Sequence, residues 1–199
     1  MIGLMGGTFS PIHYGHLLIC ESIREEFKLK RVIFMPAKRP PHKDIEQIAE
    51  AENRLEMVRI AVDDNPYFEV SDLEMRREGA SYTVDTLKTL RESSETHEKL
   101  GLIVGADSLV QFKTWKNYQK IITLATIIVT SRPDTDESLL DNSIEILRTQ
   151  HGATILKSTN EAMNYASTEI RDRVKKGLSI RYRVPPKVEA YIYEKGLYR

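Results

Sequence analysis

The sequence predicts an α/β domain built on a doubly wound parallel sheet, with a small C-terminal helical portion. Three observations point there. Short apolar runs alternate with helical patterns, a glycine pair joins the first apolar run to the first helix, and 199 residues suffice to bury a substantial core in one domain. Strands are expected over residues 1–5, 32–35, 68–70, 100–104, 127–130 and 154–156. Helices are expected over 15–27, 50–62, 83–92, 118–124, 138–150, 167–176 and 185–194. The last two make the helical portion, so that the core covers about residues 1–160 and the appendage about 161–199 of a single domain. The polar stretch 133–143 reads as a loop leading into a helix, and the chain holds no internal repeat or low-complexity segment. In an open parallel sheet, ligands sit beyond the carboxyl ends of the strands near a topological switch point. The distinctive motifs of this chain cluster at those ends.

Composition removes several classes of function. Acidic and basic residues balance at 29 each, so no basic excess suggests a nucleic-acid partner, and no basic amphipathic stretch suggests a membrane surface. The single cysteine excludes an internal disulfide and fits a reducing compartment. No apolar run approaches the roughly twenty residues that span a bilayer, and the N-terminus lacks a basic segment followed by a long apolar one. A cytoplasmic location is expected. A second copy of the chain stays open as a partner, because no single sequence stripe declares an interface.

The most informative run is Gly6, Gly7, Thr8, Phe9, Ser10, Pro11, Ile12, His13, Tyr14, Gly15, His16. A strand feeding a glycine turn and then a helix aims free backbone N–H groups and the positive end of a dipole at one point, where an anion is expected. His13 and His16 add donors suited to a polyphosphate whose charge grows during reaction. A glycine turn between strand and helix also occurs in α/β proteins that bind no nucleotide. Zinc ligation by His13, His16 and Cys20 is sterically allowed on a helix, but Cys20 falls among Leu17, Ile19 and Ile23 and is more simply a core residue. Neither standard phosphate loop is present, since no Lys-Ser/Thr follows the glycines and no third glycine completes a dinucleotide fingerprint.

This run resembles the signature of the nucleotidyltransferases that share a Rossmann-like core with class I aminoacyl-tRNA synthetases. Nearly the whole chain is similar to the bacterial nicotinate-nucleotide adenylyltransferases. The resemblance implies adenylyl transfer from ATP to nicotinate mononucleotide, giving deamido-NAD and pyrophosphate in NAD biosynthesis. It also implies an ATP site that includes Gly6, Gly7, Thr8, Phe9 and His16, with His13 and His16 on the bridging phosphates and transition state.

Four further motifs each have a local reading and an implied one. Prolines stiffen residues 36–43, which carry Lys38, Arg39, His42 and Lys43; alone this is a solvated basic loop, and the resemblance places His42 and Lys43 over the triphosphate. Nearby Arg54 matches a family motif, or braces the loop through an ion pair. In Ser81-Tyr82-Thr83, Ser81 or Thr83 can cap the next helix and Asp85 complements its dipole; by resemblance the segment holds the nicotinate carboxylate through main-chain amides, making Tyr82 and Thr83 acceptor residues. Gly105 ends a strand and permits close approach, and Asp107 can accept from ribose hydroxyls or simply cap a helix. Trp115 is core or a stacking surface; the resemblance stacks it on the pyridine ring and sets Arg132 near the acceptor phosphate. Finally, Ser167 as N-cap, Thr168 and Arg171 form an anion clamp or a capped surface helix, and by resemblance they take the β- and γ-phosphates. The family pattern commonly begins Ile-Ser where this chain has Tyr165-Ala166, which removes one hydroxyl.

These parts need no protein nucleophile. The acceptor phosphate attacks the α-phosphorus in line, so catalysis rests on His13, His16 and Arg171 holding anions together and stabilising charge. Magnesium is expected to arrive with ATP, because no dedicated carboxylate cage is visible and no metal ligands are assigned. Three alternatives stay open: an adenylyltransferase for nicotinamide mononucleotide, one for phosphopantetheine, and a silent nucleotide sensor.

Overall fold

The computed structural model describes residues 1–39, 48–92, 98–131, 133, 135–160, 163 and 165–199. Six strands, β1 (Ile2–Gly7), β2 (Val32–Pro36), β3 (Phe68–Val70), β4 (Leu100–Gly105), β5 (Thr126–Thr130) and β6 (Ile155–Lys157), form one sheet in the order β3-β2-β1-β4-β5-β6. Every pairing is parallel. The chain winds outward from β1 in one direction and then, from β4, in the other. Its switch point therefore lies between the carboxyl ends of β1 and β4.

Helices cover both faces because the inner strands β2, β4 and β5 bury residues on both of theirs. Ile33, Met35, Leu102, Val104, Ile127 and Val129 pack with α4 (Thr83–Glu92), α5 (Ala106–Val110), α6 (Tyr118–Leu124) and α7 (Glu137–His151). The alternate residues Val32, Phe34, Ile103 and Ile128 pack with α1 (Tyr14–Glu26), α2 (Ala51–Val62), α8 (Ser167–Lys175) and α9 (Pro186–Glu194). The strict period of two sorts one continuous apolar run into two cores. Each buried side chain of this size contributes roughly 1.5–3 kcal/mol relative to exposure.

Helix ends follow local chemistry. Asp136 caps α7 by accepting from Leu139 N–H at 3.0 Å, and Gly152, left-handed at φ 67°, closes it. Two short helices escape sequence periodicity: α3 (Leu73–Arg76) and α5, each barely one turn long and followed by irregular chain. A 3-10 turn, Phe112–Thr114, then leads into Trp115.

The C-terminal helices belong to the second core. Ile170, Val174, Val188 and Ile192 pack in the same cluster as Ile19, Ile23 and Met57. Tyr191 Oη donates to Asn53 at 2.9 Å, and the Tyr198 hydroxyl meets Ser10 Oγ at 2.9 Å, tying the end of the chain to the loop after β1.

The glycine pair does not make the turn that the sequence suggests. Gly6 and Gly7 are the last residues of β1, paired with Met35 and Pro36, and neither has a positive φ. The left-handed residue is Phe9, at φ 49°, followed by a cis Ser10–Pro11 bond. What the glycines supply is room. A Cβ on Gly7 would lie 2.9 Å from the Phe9 ring, whereas one on Gly6 would meet no protein atom within 4 Å and would project into open space.

Candidate active site

Two cavities open at the switch point. The first, about 290 Å³, runs from the ends of β1 and β4 to α4 and Trp115, with Gly6, Gly105, Asp107 and Thr83 in its wall. The other, about 340 Å³, lies between the β1–α1 loop and the start of α8, bounded by Thr8, Phe9, Ser167, Thr168 and Arg171. His13, His16 and Tyr165 line both cavities. The histidine pair thus marks the boundary between a space with an aromatic wall and a space with a cationic one.

Local geometry holds the two imidazoles together. His13 is the residue before α1 and is buried; its backbone N–H donates to His16 Nδ1 at 3.3 Å. With Nδ1 accepting, neutral His16 carries its proton on Nε2, the far side of the ring. The rings stack 3.7 Å apart with 22° between planes, and the Phe9 ring meets His16 edge-on at 5.1 Å. Gly15 suits this packing, because a Cβ there would stand a tight 3.0 Å from both His13 Nδ1 and Tyr165 Cβ.

At the second cavity, Arg171 donates through Nη1 to the Ser10 carbonyl at 2.9 Å and through Nη2 to Thr168 Oγ1 at 3.3 Å. Ser167 does not cap α8 as expected. Ala166 occupies the cap position, and the Ser167 hydroxyl donates instead to the Pro11 carbonyl at 2.9 Å. The loop lacks an acceptor hydroxyl on Ala166, so Ser167 fastens α8 to the β1–α1 loop. The first-turn N–H groups of α8 still point out of the helix without intrahelical acceptors.

Arg54 also differs from expectation. It is fully buried, and among the described residues its guanidinium makes no ion pair; it donates to the carbonyls of Thr8, Ala37, Lys38 and Ala49 at 2.6–3.0 Å. Burial lowers its pKa from the usual arginine value. One planar donor fork thereby ties the β1 loop, the β2 loop and the start of α2 together.

On the acceptor side, Thr83 begins α4 and lines the first cavity with Trp115, which Phe112 backs at 5.2 Å. Tyr82 lines neither cavity: its ring packs on the core beneath Lys116 Nζ, 4.0 Å from the centroid. Ser81 does not cap α4; its Oγ accepts from Lys38 N–H at 3.1 Å. Cys20 is fully buried beside Ile19 and Ile23, and burial pushes its thiol up, so it is core. Among the described residues, no cluster of His, Cys, Asp or Glu could hold a metal ion, and no helix is long and apolar enough to cross a membrane. His42, Lys43 and Arg132 lie outside the described residues.

Residues 4–173 match the cytidylyltransferase-like family. Over its whole length the chain is 46% identical to a probable nicotinate-nucleotide adenylyltransferase of Desulfitobacterium hafniense (strain Y51), covering 95% of that protein. It is 39% identical to one from Thermoanaerobacter sp. (strain X514), covering 94% of it. The chain belongs to the nicotinate-nucleotide adenylyltransferase family. Its fold matches a solved Plasmodium falciparum nicotinic acid mononucleotide adenylyltransferase complexed with NaAD at a TM-score of 0.77, with 20% identity over 99% of this chain and 96% of that one.

As a nicotinate-nucleotide adenylyltransferase, the chain contains a group that sequence reasoning passed over. Glu74, in α3, is buried in the wall of the first cavity. Burial pushes its carboxyl up, against the opposing pull of the Thr86 and Ser81 hydroxyls and the Arg77 guanidinium. The only available signal was an acidic residue among apolar ones in a helix too short for periodicity to reveal.

Proposed function

We propose that the chain transfers the adenylyl group of ATP to nicotinate mononucleotide, forming nicotinate adenine dinucleotide and pyrophosphate in NAD biosynthesis. The observation that carries this reading is the pair of cavities meeting at His13 and His16. An acceptor with a flat aromatic ring suits the cavity that contains Trp115 and Thr83, and a triphosphate tail suits the one that contains Arg171 and the start of α8. The family's known chemistry then runs across the boundary.

In that reaction a 5′-phosphate oxygen of the acceptor attacks the α-phosphorus in line, a new P–O bond forms, and the bond to the bridging oxygen breaks as pyrophosphate leaves. His16 Nε2–H and the His13 ring donate to the phosphate oxygens as charge builds. Arg171, Thr168 and the α8 N-terminus receive the leaving pyrophosphate, and the family resemblance adds His42 and Lys43 to that role. Gly6 and Gly105 leave room for the nucleotide, Asp107 holds ribose hydroxyls, and Arg132 meets the acceptor phosphate. Magnesium is part of the ATP substrate, carried by phosphate oxygens and water rather than by a protein cage. The whole chain acts in the cytoplasm and as one domain; the C-terminal helices sharing a core with α1 and α2 support the single-domain part of this reading.

The test is magnesium-dependent pyrophosphate release from ATP with nicotinate mononucleotide, nicotinamide mononucleotide or phosphopantetheine. Preference for nicotinate mononucleotide is expected. Preference for another acceptor would overturn the pocket assignment, and ATP binding without release for any acceptor would make the chain a sensor.

A further inference from the structure

Glu74 sits beside the hydrogen bonds that link two loops of different duty. Its carboxylate accepts from Thr86 Oγ1, on α4, at 2.6 Å, and it shares the cavity wall with the Ser81 hydroxyl, which pulls its pKa down against burial. Ser81 Oγ in turn accepts the Lys38 N–H at 3.1 Å, and Ser81 N–H donates to the Arg39 carbonyl at 3.2 Å. Arg54 grips the same stretch from the other side through the Ala37 and Lys38 carbonyls. A hydroxyl that accepts from Lys38 N–H still has its one proton to donate. Glu74 is the carboxylate neighbouring that hydroxyl in the cavity wall, and it takes the proton of Thr86.

A buried carboxylate costs free energy that a simple packing role would avoid with leucine or methionine. Here it orients a hydroxyl on the first turns of α4 and shares the cavity wall with Ser81 and Thr83. We propose that Glu74 is a positioning residue of the transfer reaction, aligning the amides of the 81–83 segment with the acceptor carboxylate and locking that segment to the loop after β2. The inference rests on the assignment of this segment to the acceptor in the reading above. It makes Glu74, which touches no reacting atom, a determinant of acid-over-amide preference.

The experiment compares Glu74→Ala, Glu74→Gln and Ser81→Ala with wild type, using steady-state kinetics with nicotinate and nicotinamide mononucleotide at saturating ATP. Glu74→Ala is expected to raise KM for nicotinate mononucleotide by about tenfold, the scale of one lost hydrogen bond to a charged group, with kcat within about threefold. Its acid-over-amide preference should fall by a similar factor. Glu74→Gln retains one carbonyl acceptor in the same volume and should recover most of both losses, while Ser81→Ala should shift KM and preference in the same direction as Glu74→Ala. Unchanged KM and preference in the folded variants, or a loss confined to kcat, would overturn the role of Glu74. If Glu74→Ala does not fold, Glu74→Gln and Ser81→Ala decide the matter by the same criteria. A wild-type enzyme that prefers another acceptor would instead overturn the functional reading on which this role depends.

Discussion

His16 offers a donor on one side because its other nitrogen is already occupied. The His13 N–H bonded to Nδ1 keeps the proton on Nε2, so the ring offers a donor without having to be charged. Such a donor is valuable where charge grows, not where it is already present. His16→Ala is therefore expected to lower kcat for pyrophosphate release by about a hundredfold or more, with a much smaller change in KM for ATP. Steady-state assays check this, and near-normal turnover would remove His16 from the chemistry. At this scale the sequence was informative about identity and less so about geometry. Both histidines, Arg171 and Trp115 could be singled out from motif chemistry, but Ser167 as a tether, Arg54 as a carbonyl clamp and Glu74 in the cavity wall could not. Each of those roles depends on a partner distant in the chain.

Strand ends carry the next level. Gly105 closes β4 with φ −76° and ψ 159°, a conformation open to any residue, and a Cβ there would meet no protein atom within 4 Å. Its constraint comes from ligand space, not from backbone strain. Gly105→Val is accordingly expected to leave the thermal midpoint within about 2 °C of wild type, as surface-like substitutions do, while raising KM for substrate at least tenfold. Melting curves and kinetics on the same preparation separate the two effects; a marked loss of stability with unchanged KM would show that Gly105 serves packing. At the same scale, all six strands were legible, the inner ones because parallel strands buried on both faces appear as unbroken apolar runs, and the short edge strands β3 and β6 as apolar segments between helical patterns. The helices of ten or more residues were legible too. The short α3 and α5 were not, since one helical turn contains too little periodicity.

For the whole molecule, the C-terminus closes the structure onto the site. The Tyr198 hydroxyl hydrogen-bonds Ser10, in the loop between the phosphate cavity and β1, and burial pushes its pKa up to about 12. An unfolded tyrosine ionises near 10, so between these values the folded chain keeps a proton that the unfolded chain has lost. Stability from this group is complete below about pH 10 and is lost as pH rises towards about 12. Tyr198→Phe should be about 1 kcal/mol less stable than wild type at neutral pH, with the gap narrowing through that alkaline window. Denaturant unfolding at a series of pH values tests this, and parallel pH profiles for the two proteins would remove Tyr198 from the alkaline loss.

Alone, the sequence determined the layered α/β class, the order of its elements and the family, because apolar period, turn chemistry and a contiguous phosphate motif are local properties of the chain. Only the tertiary structure decided that Gly6 and Gly7 extend a strand while Phe9 makes the turn, that His13 and His16 stand between two cavities, that Ser81 joins the loop after β2, and that Glu74 receives the Thr86 hydroxyl. These are contacts between segments far apart in sequence, and a hydrogen-bond partner or a cavity wall exists only once the sheet has brought those segments to one edge.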